Sequence, residues 1–304
     1  MATKDQFIRE SVSTPEAAVP VTAETTASAQ LEFVRFRPLE RALHASMVVS
    51  FMSLALTGLS LKFSYTPWAR FLSRVLGGFE AAGLIHRLAA IVMFSVFITH
   101  LFSLRNLKNS KYGGSWQKMI LGPNSMVPGP KDGREFLATM KWFVGLGPRP
   151  EYGRWTYWEK FDYFAVFWGI AIIGSTGLTL WFPVFFTRFL PGWCINVATI
   201  IHSDEALLAT GFIFTVHFFN THLRPEKFPM DTTVFTGHMK LSELKRDKPQ
   251  EYADLVAAGK LNSQLEAPHP EVVVKMIRAC AWVALSIGFS IVVWIIYAMI
   301  FAYR

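Results

Sequence analysis

The sequence predicts an all-α membrane protein: a four-helix transmembrane bundle of two repeated hairpins, plus a fifth transmembrane helix. Three observations predict it. The 304-residue chain is 52% hydrophobic and 15% aromatic, with a mean hydropathy of +0.30, too apolar for an ordinary soluble domain. Five stretches of about 20 mostly apolar residues are each long enough to cross a bilayer. Four of them fall into related halves. Glu40-Arg41 with Thr57-Gly-Leu-Ser-Leu61 matches Glu159-Lys160 with Thr176-Gly-Leu-Thr-Leu180 at an offset of 119 residues. His86 matches His202 at 116, and His100-Leu-Phe-Ser103 matches His217-Phe-Phe-Asn220 at 117. Repeated hairpins imply a bundle with a pseudo-twofold axis.

In chain order, residues 1–32 are polar, rich in Thr, Ala and Glu, and read as a disordered tail without a secretory signal. Phe33-Val-Arg-Phe-Arg-Pro38 leads to the membrane. The bundle occupies 33–231, with spans near Ala42–Phe63, Gly83–Leu104, Phe161–Phe182 and Ile201–His222. A polar stretch, 105–160, separates the hairpins, and its Trp and Tyr residues suit a membrane interface. Pro183 and Leu190-Pro-Gly-Trp193 make the turn of the second hairpin. Arg224-Pro-Glu-Lys-Phe-Pro-Met-Asp231 reads as a docking or capping loop. Residues 232–274 are polar, with a surface helix expected around Leu241–Ala258. Residues 275–304 hold the fifth span, near Met276–Ala302, which has no repeat counterpart and should pack outside the bundle.

The net charge of +8 does not point to nucleic acid, because the basic residues follow membrane topology. Arg105–Lys160 holds ten Lys and Arg, and Leu223–Lys275 holds eight. The opposite turns hold Arg70 and Arg74, then Arg188. The N-terminus is therefore expected to be cytoplasmic. His44, His100, His217 and His222 fall near the cytoplasmic face, and His86 and His202 near the outer face.

Histidine carries the chemistry. His86 and His100 are 14 residues apart, and His202 and His217 are 15 apart. At ~1.5 Å and ~100° per residue, each pair spans roughly 21–22 Å and shares a face within about 40° and 60°. An imidazole inside a bilayer is costly and marks function by default. A single one is as readily a satisfied core residue, but four at matched depths and repeat-equivalent positions provide the bis-imidazole geometry for two b-type haems. His44 matches Tyr163, so symmetry alone leaves it a spare. His222, five residues after His217, projects about 140° away and reads as interfacial. His238 and His269 read as solvated.

Gly58, Gly169, Gly174, Gly177 and Gly211 admit either a flat macrocycle or ordinary helix packing. Ser203, Asp204 and Glu205 serve as first-turn groups satisfying orphan amides, or as proton acceptors beside the outer haem. Glu40, Arg41, Glu159 and Asp162 are the inner candidates for proton transfer. Only Cys194 and Cys280 occur, with no C-x-x-C-H and no iron–sulfur cluster motif.

Arg41-Ala-Leu-His44 followed by Ala55-Leu-Thr-Gly-Leu59 resembles the first span of formate dehydrogenase gamma subunits, which group with the cytochrome b subunits of nickel–iron hydrogenases and thiosulfate reductases. His86-Arg-Leu-Ala-Ala90 is similar to that family's second span. Trp158-Glu-Lys-Phe-Asp-Tyr-Phe-Ala-Val-Phe-Trp-Gly169 and Ser175-Thr-Gly-Leu178 resemble the third, and His202 with His217 the fourth. The resemblance covers about Phe33–Asp231, and the motifs are specific only in combination. It implies an outer haem held by His86 and His202 and an inner one held by His44 and His217. Periodicity instead sets His100 opposite His217, an arrangement similar to the quinol-oxidising cytochrome b of respiratory chains. The remaining histidines could also hold a third haem. The fifth span and the long polar tail depart from the family form.

The expected function is electron transfer between a quinone pool, menaquinone or ubiquinone, and a partner subunit carrying iron–sulfur clusters or multiple c-type haems. The cofactor is haem b, the surroundings are membrane lipid, and the location is a bacterial or archaeal cytoplasmic membrane. The chain itself offers no substrate-oxidising site beyond the quinone. The competing expectation is a proton- or metal-handling transporter or scaffold without haem.

Overall fold

The computed structural model describes residues 31–302. The tail expected to be disordered lies outside them up to residue 30, and Glu32 is already the first residue of a strand. Among the described residues five helices are long and apolar enough to cross a membrane: Pro38–Lys62, Phe79–Lys111, Tyr157–Trp181, Trp193–Leu223 and Glu271–Phe301, the first to fifth spans. The chain is an all-α, multi-pass membrane protein. Each helix starts before its apolar run because its start signal lies outside that run. The second span begins after Gly78, at a φ of 100° that favours glycine. The third begins at a capping box, where Thr156 Oγ1 accepts from the Glu159 N–H and the Glu159 carboxylate accepts from the Thr156 N–H.

Side-chain contacts give the order of the helices. The first span packs on the second, with Thr57 against His86. The second packs on the third through Phe97 and Phe167, with ring centroids 5.2 Å apart. The third packs on the fourth through Phe161 and Phe212. The fourth closes on the first, where Lys62 reaches Ser203 and Asp204 and Phe51 meets Phe214. The second and fourth spans are therefore diagonal partners. The fifth span covers the groove between the first and fourth. Its Gly288 lies where a Cβ would stand 2.5 Å from Phe218 and 2.7 Å from Phe214, so only glycine permits this approach. Ile291 is buried beside them, and Trp294 stacks on Trp68.

Outward faces are apolar: Val49, Leu88, Phe102, Trp168, Leu208 and Phe289 are all exposed, as lipid contact requires. Inside, large side chains do not meet in a packed centre, and on the second span only Ala82 and Ala89 are buried.

At the end where the first span starts, the polar segments build a cap. Strand β1 (Glu32–Val34) lies between β2 (His238–Lys240) and β3 (Leu265–Glu266), antiparallel to both. Phe33, Met239 and Leu244 form its small core. The single surface helix expected around Leu241–Ala258 is instead two, Leu241–Asp247 and Pro249–Ala257. Pro249 forces Lys248 out of helical geometry, with φ −136°. Leu244 is fully buried, so the helix pair is not merely a surface element. A charge cluster ties the cap to the bundle. Arg35 and Arg154 both donate to Glu251 at 2.8 Å, and Lys248 pairs with Glu159 at the head of the third span. Burial pulls the Lys248 ammonium below its ordinary value even though Glu159 opposes this.

Candidate functional site

A cavity of about 2480 Å³ runs through the bundle, from Arg35 and Trp155 under the cap to Lys62 and Ser203 at the opposite, loop end. This exceeds the ~300–1000 Å³ of an ordinary small-ligand pocket. His44, His86, His100, His202, His217 and His222 all line it.

At the loop end His86 and His202 face each other across the diagonal, with ring centroids 6.2 Å apart and planes at 71°. Two imidazoles on opposite sides of one metal ion, at a metal–nitrogen distance of about 2 Å, place their centroids about 6 Å apart. Both rings are held alike. The Thr57 hydroxyl spends its proton on the Ser53 carbonyl at 2.6 Å, so at 2.9 Å from His86 Nδ1 it accepts. His202 Nδ1 donates to the Ile173 carbonyl at 2.9 Å. Each anchored Nδ1–H leaves Nε2 as the free lone pair, the tautomer of a metal ligand. Ile173 can accept because Ile170–Gly174 is π-helical, which disturbs the regular α-helical pairing.

Gly58, next to Thr57, and Gly177, next to Thr176 whose hydroxyl lies 3.4 Å from His202 Nδ1, make room for the rings. A Cβ at Gly58 would stand 3.3 Å from His86 Cε1, and at Gly177 2.9 Å from His202 Cε1. Gly174 admits Phe94 in the same way, while nothing lies within 4 Å of a Cβ at Gly211. Gly58 and Gly177 thus admit imidazole rings and Gly174 an aromatic one.

At the cap end the histidines part company. His217 Nδ1 donates to Asp162 at 3.0 Å. His44 also lines the cavity, its ring packed edge-on to Phe235 and its Nδ1 buried without a hydrogen-bond partner. His100 instead points to the third span, its Nε2 2.8 Å from the Tyr163 hydroxyl. The expectation that His100 faces His217 assumed 100° per residue throughout. Ile213–His217 and Phe219–Leu223 are π-helical, and each such turn takes up an extra residue.

The same departure relocates His222. It is buried rather than interfacial and donates from Nδ1 to the Pro229 carbonyl at 2.8 Å. In a π turn residues five apart are hydrogen-bonded neighbours, so it returns to the side of His217. His238 and His269, expected to be solvated, stack 4.4 Å apart within the cap.

The expected proton carriers are mostly engaged otherwise. Glu40 accepts from the Arg37 N–H at its own helix start, Arg41 donates to the Phe235 carbonyl, and Glu159 belongs to the cap's charge cluster. Ser203 and Asp204 are not first-turn residues, because the fourth span starts at Trp193, right after the Pro-Gly turn. They receive Lys62 instead, and Glu205 lines the cavity. Tyr163, seen in the sequence only as the repeat mate of His44, is a site residue, and the repeat itself was the signal.

Among the described residues no group of three or more His, Cys, Asp or Glu could hold a metal ion. The two facing imidazoles of His86 and His202 fall below that number. No protein-family model matches the sequence, and no curated protein matches it either.

Proposed function

We propose that this protein is the membrane-embedded b-type cytochrome subunit of an oxidoreductase complex, passing electrons between a quinone pool and a separate redox subunit. The observation that carries this reading is the His86–His202 pair. Its two diagonal imidazoles have centroids 6.2 Å apart, their Nδ1–H groups are anchored, and they line a cavity too large for an ordinary small ligand. The donor set fits haem b. His86 with His202 would hold one at the loop end, and His44 with His217 one at the cap end. Bound there, bis-imidazole haem supplies a one-electron relay.

The chain's own residues do the rest. Thr57 and Ile173 fix the tautomer and orientation of the loop-end imidazoles, and Asp162 does so for His217. The apolar walls keep water out and set a low local dielectric, which tunes the potentials. The chain has no cysteine motif for a further redox centre, so a partner subunit with iron–sulfur clusters or c-type haems would exchange electrons at one membrane face. On this reading the membrane is a bacterial or archaeal inner membrane, and the basic loops favour a cytoplasmic cap with the N-terminus inside.

The test is a reduced-minus-oxidised absorption spectrum of the purified full chain, with haem quantified per polypeptide. Two b-type haems per chain are expected. A chain that binds no haem overturns the proposal in favour of a transporter or scaffold.

A further inference from the structure

The helix order gives the pseudo-twofold a consequence at the cap end. The repeat exchanges the first span with the third and the second with the fourth. His86 and His202 exchange with each other, so they meet on the axis as one site. His44 exchanges with Tyr163, and His217 with His100. The edge between the first and fourth spans, holding His44 and His217, therefore has a mate between the second and third spans. There an imidazole meets a phenol, His100 Nε2 and Tyr163 OH at 2.8 Å. The nitrogen that is free in His86, His202, His217 and His222 is engaged in His100.

We infer that this second edge of the cavity binds the head group of the quinone, with His100 and Tyr163 as its hydrogen-bonding pair. Three features point to a planar, lipid-borne ligand with oxygens on its ring. The pair offers both a donor and an acceptor to a carbonyl or hydroxyl. Its wall is aromatic: Phe167 packs 6.0 Å from His100, 5.0 Å from Tyr163 and 5.2 Å from Phe97, and all four rings border the cavity, where an aromatic head group can pack against them. This edge also has a lateral neighbour. An apolar pocket of about 550 Å³, lined by Ile98, Leu101, Phe102, Arg105, Trp116 and Phe167, abuts it. Phe167 and Leu104 border both this pocket and the central cavity. Phe102 and Leu101 are exposed on the lipid-facing side of the second span, so the pocket gives an isoprenoid-like tail a path from the bilayer. Trp116 and Arg105 mark its mouth at the membrane interface. A hydrogen bond made only to join two helices would need no such opening. The assignment takes its purpose from the electron-relay reading but not its geometry.

The test uses the full chain in detergent or liposomes with a photoreactive azido-decylubiquinone. Cross-links are expected in peptides covering residues 94–107 and 157–170. His100→Gln and Tyr163→Phe are each expected to cut specific labelling, and the rate of haem reduction by decylubiquinol, by about tenfold, the weight of one good hydrogen bond. Both variants should keep the wild-type haem content and full reduction by dithionite. Labelling confined to other helices, variants within twofold of wild type, or loss of a haem in His100→Gln would overturn the assignment. Labelling here in a chain without haem would leave this site standing and sink the relay. Haem with labelling elsewhere would do the reverse.

Discussion

The two ends of the bundle answer the same internal repeat differently. At the loop end the repeated histidines meet on the pseudo-twofold axis, so duplication yields one site with two equivalent walls: Thr57 and Gly58 around His86, Thr176 and Gly177 around His202. At the cap end the repeated positions lie off the axis, so duplication yields two different edges of one cavity. One carries His44 and His217, and the other carries Tyr163 and His100. A site on the axis is bound to change both halves together. Sites off the axis can diverge, and a tyrosine in place of a histidine is enough to turn an imidazole pair into a hydrogen-bonding pair.

The contrast can be broken most severely at the axis. If His86 and His202 hold the proposed loop-end haem, His86→Ala or His202→Ala is expected to abolish it and halve the haem per chain, read from the pyridine haemochrome. Next comes the glycine pair. A Cβ at Gly177 would approach His202 at 2.9 Å, and one at Gly58 would approach His86 at 3.3 Å. Gly177→Ala should therefore lose more of the proposed loop-end haem than Gly58→Ala, which should keep it with a shifted potential. Equal losses would show that the two walls are not built as described.

In the cap, Glu251→Ala leaves Arg35 and Arg154 facing each other without their shared carboxylate. Thermal unfolding of the cap should reveal a loss of about 3 kcal/mol, the usual cost of a broken buried pair.

The smallest effect is the pH response of the Lys227–Asp231 clamp, at 2.9 Å. Burial pushes the Asp231 carboxyl up, but Lys227 and the Thr233 N–H hold it below its ordinary value. Burial pulls Lys227 down, and Asp231, Glu243 and Asp247 hold it above its ordinary value. Asp231 thus contributes stability that is present above the ordinary carboxylate value and lost as pH falls through its depressed one. Lys227 contributes stability that is present below the ordinary lysine value and lost as pH rises through its raised one. Cap stability should be flat near neutrality and fall below about pH 4, and Lys227→Met should blunt that acid limb.

The spans and the on-axis pair were legible in the sequence because apolar length and repeat offset survive small errors in helical phase. The cap-end partners were not. They depend on the angle at His217, and the π-helical turns at Ile213–His217 and Phe219–Leu223 spoil a uniform projection. His222 was misplaced for the same reason. The cap was hidden because a three-residue strand carries no periodicity, and Glu32–Val34 finds its partners about 200 residues downstream. Tyr163 entered the sequence reading only as the repeat mate of His44, and its partner in the structure, His100, is the repeat mate of His217.

Haem stoichiometry in three proteins, wild type, His44→Ala and His100→Gln, tests the division of the cap end most directly. Two haems per chain are expected in the wild type, one in His44→Ala and two in His100→Gln. Two haems in His44→Ala with one in His100→Gln would contradict it.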